Sequence, residues 1–193
     1  GLPLVTRAQT AQAAGYASVV LMDRLSGHAF DTDSDEFKRM WTDFLEHYNE
    51  HHSDSTRPYA GIMELLAQLA QRGYRMGVVS NKVHRDTEEL RAQWFGDYIE
   101  FAVGVTDALP KKPAPDMVFA ALDALDAQAD EAVYVGDSQP DVQIAKNAGC
   151  TSVAVTWGFR TREILEEQEP DFIIDAPEEL LGVLDGLQRE REV

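Results

Sequence analysis

Beyond residue 57, short apolar runs alternate with segments of helical period, and this alternation constrains the fold more than any single residue does. Residues 74–79, 101–105, 132–135, 152–156 and 172–174 read as strands, rich in β-branched and aromatic side chains. Helical spacing appears at Ile62, Leu65, Leu66 and Leu69, then across 88–95, 117–125, 142–149 and 180–184. Strands separated by helices need crossover connections, which build a parallel sheet covered on both faces. The expected fold is therefore α/β, a doubly wound parallel sheet.

The earlier residues follow a different pattern. Thr6 is placed to cap a helix running through Gln9, Ala13, Ala17, Val20, Leu21 and Leu25, ending near Gly27. Phe37, Met40, Trp41, Phe44, Leu45 and Tyr48 mark a second helix. Arg57-Pro58-Tyr59 reads as a boundary, because proline disfavours helix at the residue before it. A small helical domain, 1–56, is expected to precede the α/β core, 57–193.

The 193 residues carry 17 basic and 34 acidic side chains, a formal net charge of −17. Such a surface repels phosphate backbones, which argues against nucleic-acid and anionic-membrane partners. One cysteine, Cys150, rules out an intrachain disulfide and points to a reducing, cytoplasmic compartment. There is no signal-peptide pattern and no apolar run long enough to span a bilayer.

Three stretches carry chemistry. In the first, 132–149, a strand stops at Gly136 and a helix closes at Asn147 and Gly149. Asp137 and Asp141 lie between them, at the carboxyl end of the strand, where open α/β sheets build their sites. Two acids on one tight loop suit a hard cation such as Mg2+, and they equally suit a helix N-terminus. In the second, Ser80 and Asn81 follow a strand and can donate hydrogen bonds to an anion, or simply form a turn. In the third, Lys111 and Lys112 precede Pro113 and Pro115, on a loop stiffened by fixed φ angles, with Asp116 placed to cap the next helix. The bland alternative there is a solvated lysine pair.

Ser80-Asn81-Lys82, the run from Lys111 to Asp116, and the run from Gly136 to Asp141 occur in an order that closely resembles the haloacid dehalogenase superfamily of phosphohydrolases. Thr156-Trp157-Gly158-Phe159 also resembles the segment after the last core strand of its phosphoglycolate phosphatase-like members. The resemblance covers most of the chain, the helical cap included. It implies that Ser80 and Asn81 bind the transferring phosphoryl group and that Lys112 neutralises it. It further implies that Asp137 ligates Mg2+, that Asp141 supports the metal shell, and that the substrate is a small phosphorylated metabolite resembling phosphoglycolate. A sugar phosphomutase is the nearest alternative within the superfamily. A dehalogenase fits less well, having no need of a metal at Asp137.

The superfamily's first motif is a buried strand ending in Asp-x-Asp, which supplies an aspartyl nucleophile and a general acid and base. Two stretches approach it. Asp31-Thr32-Asp33 has the spacing but follows a poor strand, and 19–23 places an apolar run before Asp23 but fits a cap helix better. In the superfamily's fold this strand lies between those ending here at Ser80 and Asp137. The expectation is therefore that the 193 residues belong to a longer chain, or that another segment fills the gap, and that they are inactive alone. A catalytically silent binding protein of the same fold is the rival reading. His47, His51 and His52 have helical metal-ligand spacing but read as a solvated helix end. Trp41 and Phe44 read as cap core, and Arg160 and Arg162 as surface residues.

Overall fold

The structure is a computed structural model that describes residues 4–14, 18–29, 31–51 and 54–191. It divides into two compact units, Gly1–Arg57 and Pro58–Val193.

The first unit is helical. Thr6 begins α1 (Arg7–Ala13) with a reciprocal cap: its hydroxyl accepts from the Gln9 N–H, and Gln9 Oε1 accepts from the Thr6 N–H at 2.8 Å. The single long helix expected here is interrupted. Ala14 adopts extended backbone just before Gly15, a residue type that weakens helices, and α2 (Ser18–Leu25) is a separate element. Ala17, on which the expected pattern partly rests, lies outside the described residues. Residues 19–23 are helical, so they supply no strand. Asp31 and Asp33 lie in a turn, where Asp31 Oδ1 accepts from the Asp33 N–H at 3.0 Å. In α3 (Asp35–His51) Phe37 is buried, and Trp41, Phe44 and Tyr48 stack in series at 5.7 and 5.6 Å. His51 bonds Asp54 at 2.8 Å, as a solvated helix end would, while His52 lies outside the described residues.

The second unit is α/β. Its elements are α4 (Ile62–Gln71), β1 (Gly77–Val83), α5 (His84–Trp94), β2 (Phe101–Val105), α6 (Asp116–Ala124), β3 (Val133–Gly136), α7 (Gln139–Ala148), β4 (Thr151–Val155), α8 (Arg162–Glu166), β5 (Phe172–Ile174) and α9 (Glu179–Arg191). All ladders are parallel. β1 pairs with β2, and β4 lies between β3 and β5. Helices cover both faces, as parallel sheets require. Leu65, Leu69, Leu180 and Leu184 pack with Val153, Val155 and Ile174 in one core cluster, and Val118, Ile144, Ala145 and Cys150 form another.

β1 starts three residues later than the alternation suggests, because residues 73–74 complete the exit from α4. Gly73 sits at φ 82°, and the Tyr74 N–H returns to the Leu69 carbonyl at 3.0 Å. β1 also runs past Ser80, with a break in register. Val79 faces Val103, whereas Val83 faces Val105. Four steps along β1 thus match two along β2, so Ser80, Asn81 and Lys82 bulge from the ladder.

Candidate active site

The bulge, the loop before α6 and the turn from β3 into α7 meet through Lys112. Its side chain is 9% exposed, and its ammonium lies 2.6 Å from Asp141 Oδ1, 3.2 Å from the Tyr134 hydroxyl and 3.3 Å from the Val79 carbonyl. The structure thus brings together four of the five residues singled out in the sequence, Asn81, Lys112, Asp137 and Asp141, and places Ser80 beside Asn81 in the bulge.

Two amides hold the loop. Asn81 Oδ1 accepts from the Lys112 N–H at 2.8 Å, and Asn147 Nδ2 donates to the Pro113 carbonyl at 2.8 Å. Asn81 is therefore a loop anchor, whatever its amide nitrogen contributes to an anion. Asn147, which the sequence suggests only as part of a helix ending, is the second anchor. Asp116 makes no capping bond; it is the first residue of α6, and Pro115 occupies the cap position. Ser80 Oγ accepts from the Lys82 N–H at 3.1 Å, which orients the hydroxyl and leaves its proton to donate.

The two carboxylates are not equivalent. Asp141 is saturated: Oδ1 takes Lys112 and Tyr134, and Oδ2 takes the Ser138 hydroxyl at 2.5 Å and the Asp137 N–H at 3.3 Å. Asp137 Oδ2 accepts from the Phe159 N–H at 2.8 Å, and its other oxygen makes no bond to a described residue. Glycine is required on both sides. A Cβ on Gly136 would lie 2.2 Å from Asp141 Cβ, and one on Gly158 would lie 2.0 Å from Asp137 Oδ2. The Thr156–Phe159 segment thus wraps Asp137, and only a residue without a side chain lets it come so close.

Electrostatics sharpen the contrast. Burial pushes the Asp137 carboxyl up against the bond from Phe159, and the Asp141 charge adds to the rise. Burial acts on Asp141 in the same direction, but Lys112 and the Ser138 bond outweigh it and hold that carboxyl below its ordinary range. Burial opposes the charge on Lys112, yet Tyr134 and Asp141 raise its pKa, so the ammonium keeps its proton. The buried Tyr134 phenol is pushed up to about 12 and acts as a neutral hydrogen-bonding group. In the sequence Tyr59 reads only as part of a boundary. Burial first, then the charge of Asp137, raises its phenol.

This donor set fits a hard divalent cation. Mg2+ usually takes one or two carboxylates and fills its octahedron with water and substrate phosphate. Asp137 has an oxygen to offer, and Asp141 fixes the turn that presents it. Arg160, expected at the surface, is 5% exposed and bonds Gln139 Oε1 at 2.7 Å, bracing the start of α7 beside Asp137. Arg162 pairs with Asp175 at 2.6 Å, away from these groups. Among the described residues no helix is long and apolar enough to cross a membrane.

Comparison with known proteins gives one family. The family model of the haloacid dehalogenase-like hydrolases matches residues 4–155. The pyrophosphatase PpaX of Bacillus cereus (strain G9842) is 31% identical over 158 residues, 81% of this chain and 73% of that protein. A crystal structure assigned as a phosphoglycolate phosphatase, from Lactobacillus delbrueckii subsp. bulgaricus, superposes with a TM-score of 0.85 at 29% identity, covering 93% of this chain and 83% of that one. The β-phosphoglucomutase of Clostridium difficile shares the fold, with a TM-score of 0.77 at 17% identity over 99% of this chain and 85% of that one.

Proposed function

This chain belongs to the haloacid dehalogenase-like hydrolases, and we propose that its site serves Mg2+-dependent hydrolysis of a small phosphoric monoester of the phosphoglycolate type. The observation that carries the reading is the division of labour between the two acids. Asp141 locks Lys112 in place, while Asp137, gripped through one oxygen by Phe159, keeps the other for a cation.

The chemistry asked of these residues is mostly positioning and charge stabilisation, as phosphoryl transfer requires. A cation at Asp137 would draw charge from the phosphoryl oxygens. Lys112 holds a fixed positive charge at the mouth between β1 and β3, and its hydrogen bonds prevent it from swinging away. The Ser80 hydroxyl and the main-chain N–H groups of the bulge supply donors to a phosphoryl oxygen.

A second reading has its own support. Among the described residues no strand ends in Asp-x-Asp: Asp23 is helical, and Asp31 and Asp33 lie in a turn. The site would then bind a phosphorylated ligand without cleaving it.

One experiment separates the two. Phosphate release from phosphoglycolate, pyrophosphate and a hexose phosphate is followed with and without Mg2+, beside titration of inorganic phosphate by calorimetry. Mg2+-dependent release that Asp137→Asn abolishes, with an unchanged circular dichroism spectrum, supports the phosphatase. Mg2+-dependent phosphate binding without release supports the silent site. Release that Asp137→Asn leaves intact removes Asp137 from the metal role.

A further inference from the structure

Six residues, 156–161, connect β4 to α8 outside strand and helix, and one of them grips Asp137 through the Phe159 N–H. Irregular backbone keeps one shape only where its ends and side chains are tied down. Both ends of this connection are tied to one side chain, Asp175, which follows β5. Asp175 Oδ1 accepts from the Thr156 hydroxyl at 2.7 Å, and Asp175 Oδ2 accepts from Arg162 Nη2 at 2.6 Å. Thr156 opens the connection and Arg162 begins α8, so the two oxygens of one carboxylate close the loop. Asp175 is itself fixed: its N–H donates at 3.4 Å to Glu179 Oε2, in the first turn of α9.

We propose that Asp175 is a positioning residue for Asp137: by clipping both ends of the connection it keeps the Phe159 N–H on Asp137 Oδ2 and so leaves Oδ1 for a cation. The Phe159 ring is 49% exposed, so its side chain does not hold the tip of the loop in place. Mg2+ demands near-octahedral geometry, and a carboxylate already held in one orientation meets that demand at less cost. Partners that orient a metal ligand from outside its shell are typically worth about 10–100-fold in metal affinity. The consequence for metal binding rests on the reading of Asp137 as a Mg2+ ligand. The consequence for the Phe159 bond does not.

The clip is placed where its loss can be told apart from general unfolding. The Asp175 side chain is 60% exposed and that of Arg162 40%, and an ion pair this open adds little to global stability. The hydrogen bonds from Thr156 and Arg162 nonetheless hold the Asp175 carboxyl below its ordinary range, so it stays ionised at neutral pH and both bonds are charge-assisted. Two other contacts bear on the same segment: Trp157 packs against the core, and Arg160 bonds Gln139 Oε1 at 2.7 Å. They hold one residue on either side of the Gly158-Phe159 tip, whereas Asp175 holds both ends at once.

The test uses the 193-residue chain and compares Asp175→Ala, Arg162→Ala, the double variant, and Arg72→Ala, which breaks a comparably open ion pair with Asp185. NMR follows the Phe159 amide, its proton shift and its exchange rate, beside the thermal midpoint and the apparent Kd for Mg2+. Asp175→Ala is expected to speed Phe159 exchange about tenfold or more and to move its proton upfield as the bond to a carboxylate is lost. It should weaken Mg2+ binding about tenfold while lowering the midpoint by no more than about 4 °C. Arg162→Ala should add nothing at Phe159 once Asp175 is gone, because the two act through one clip. Arg72→Ala should leave Phe159 untouched. An unchanged Phe159 amide in Asp175→Ala overturns the proposal, and so does equal loosening by Arg72→Ala. Mg2+ binding that is intact in Asp175→Ala although Phe159 is loosened overturns it too. If Phe159 loosens as expected and neither wild type nor variant binds Mg2+, the positioning of Asp137 by Asp175 is supported and the metal reading of Asp137 fails.

Discussion

The main-chain N–H of Lys112 donates to the side-chain oxygen of Asn81 at 2.8 Å, joining two loops 31 residues apart in the sequence. The bond makes the position of the lysine depend on the β1 bulge, since Asn81 reaches the loop only because the chain leaves the ladder after Val79. Asn81 is 8% exposed, so its side-chain oxygen has little water to fall back on.

Two substitutions at Asn81 separate its roles. Asn81→Asp keeps an oxygen for the Lys112 N–H but replaces the NH2 group with a second carboxylate oxygen. It is expected to keep the loop anchored and to be less destabilised than Asn81→Ala, while binding phosphate at least tenfold more weakly. Asn81→Ala leaves the Lys112 N–H unpaired and should lose about 1–3 kcal/mol of stability as well. Urea unfolding and phosphate titration read the two effects. Equal destabilisation by both variants would contradict the anchoring role.

Lys112 and Lys111 are adjacent and should behave very differently. Lys112→Ala leaves the nearly buried Asp141 without its cation, a change expected to cost about 3–5 kcal/mol, and it should lower kcat by two orders of magnitude or more. Lys111→Ala should change stability by less than about 0.5 kcal/mol. Chemical denaturation tests the first claim even where no substrate is known. Similar losses in the two variants would mean that the loop is wrongly placed.

Two glycines give opposite expectations for the same change. Gly158→Ala would put a methyl group 2.0 Å from Asp137 Oδ2, so the wrapping segment must move and the Phe159 bond must break. Loss of Mg2+ response with the sheet retained is the expected outcome. Gly182 lies in α9, where an added methyl group would have nothing within 4 Å, so Gly182→Ala should raise stability by about 0.5–1 kcal/mol. Thermal melts of the two variants, with and without Mg2+, check both.

Asp171 carries a pH-dependent share of stability. Its carboxylate accepts from the Ser152 hydroxyl at 2.7 Å and from the Ser152 N–H at 2.8 Å, and these bonds hold its pKa below the ordinary 3.8. A lowered carboxyl pKa means stabilisation that is complete above the unfolded value and is lost as pH falls through the folded one. Asp171→Asn should therefore cost about 1 kcal/mol at pH 7, the carboxylate being largely solvent-screened, and little once both states of the wild type are protonated. A difference between wild type and variant that grows as the pH falls would contradict this sign.

The regular parts of the fold are legible in the sequence, because period and length survive without tertiary context. β2 and β5 lie where their apolar runs fall, and β4 is displaced by one residue. β1 departs from its apolar run at both ends for physical reasons. Gly73 and Tyr74 serve the exit of α4, and the bulge at Ser80 to Lys82 responds to pairing with β2, which no local pattern records. The site residues are legible as types: two acids, a lysine on a stiff loop, a hydroxyl and an amide after a strand. Their division of labour is not. Nothing in the spacing of Asp137 and Asp141 says which is saturated, since that depends on Tyr134 from β3 and on Phe159 from the segment after β4. Arg160 looks like a surface residue in the sequence because its partner, Gln139, is 21 positions away.

The anchor between Asn147 and the Pro113 carbonyl also bears on how the protein ages. Asparagine amides are among the first side chains to hydrolyse in warm solution. Conversion of Asn147 to aspartate would replace a donor with a carboxylate facing a carbonyl oxygen, two acceptors with no proton between them. The loop that carries Lys112 would lift at that end while the sheet and its helices stayed folded. A stored or heated sample would then lose phosphate affinity and melt at a lower temperature, and the damage would show as a peptide about one mass unit heavier rather than as aggregate.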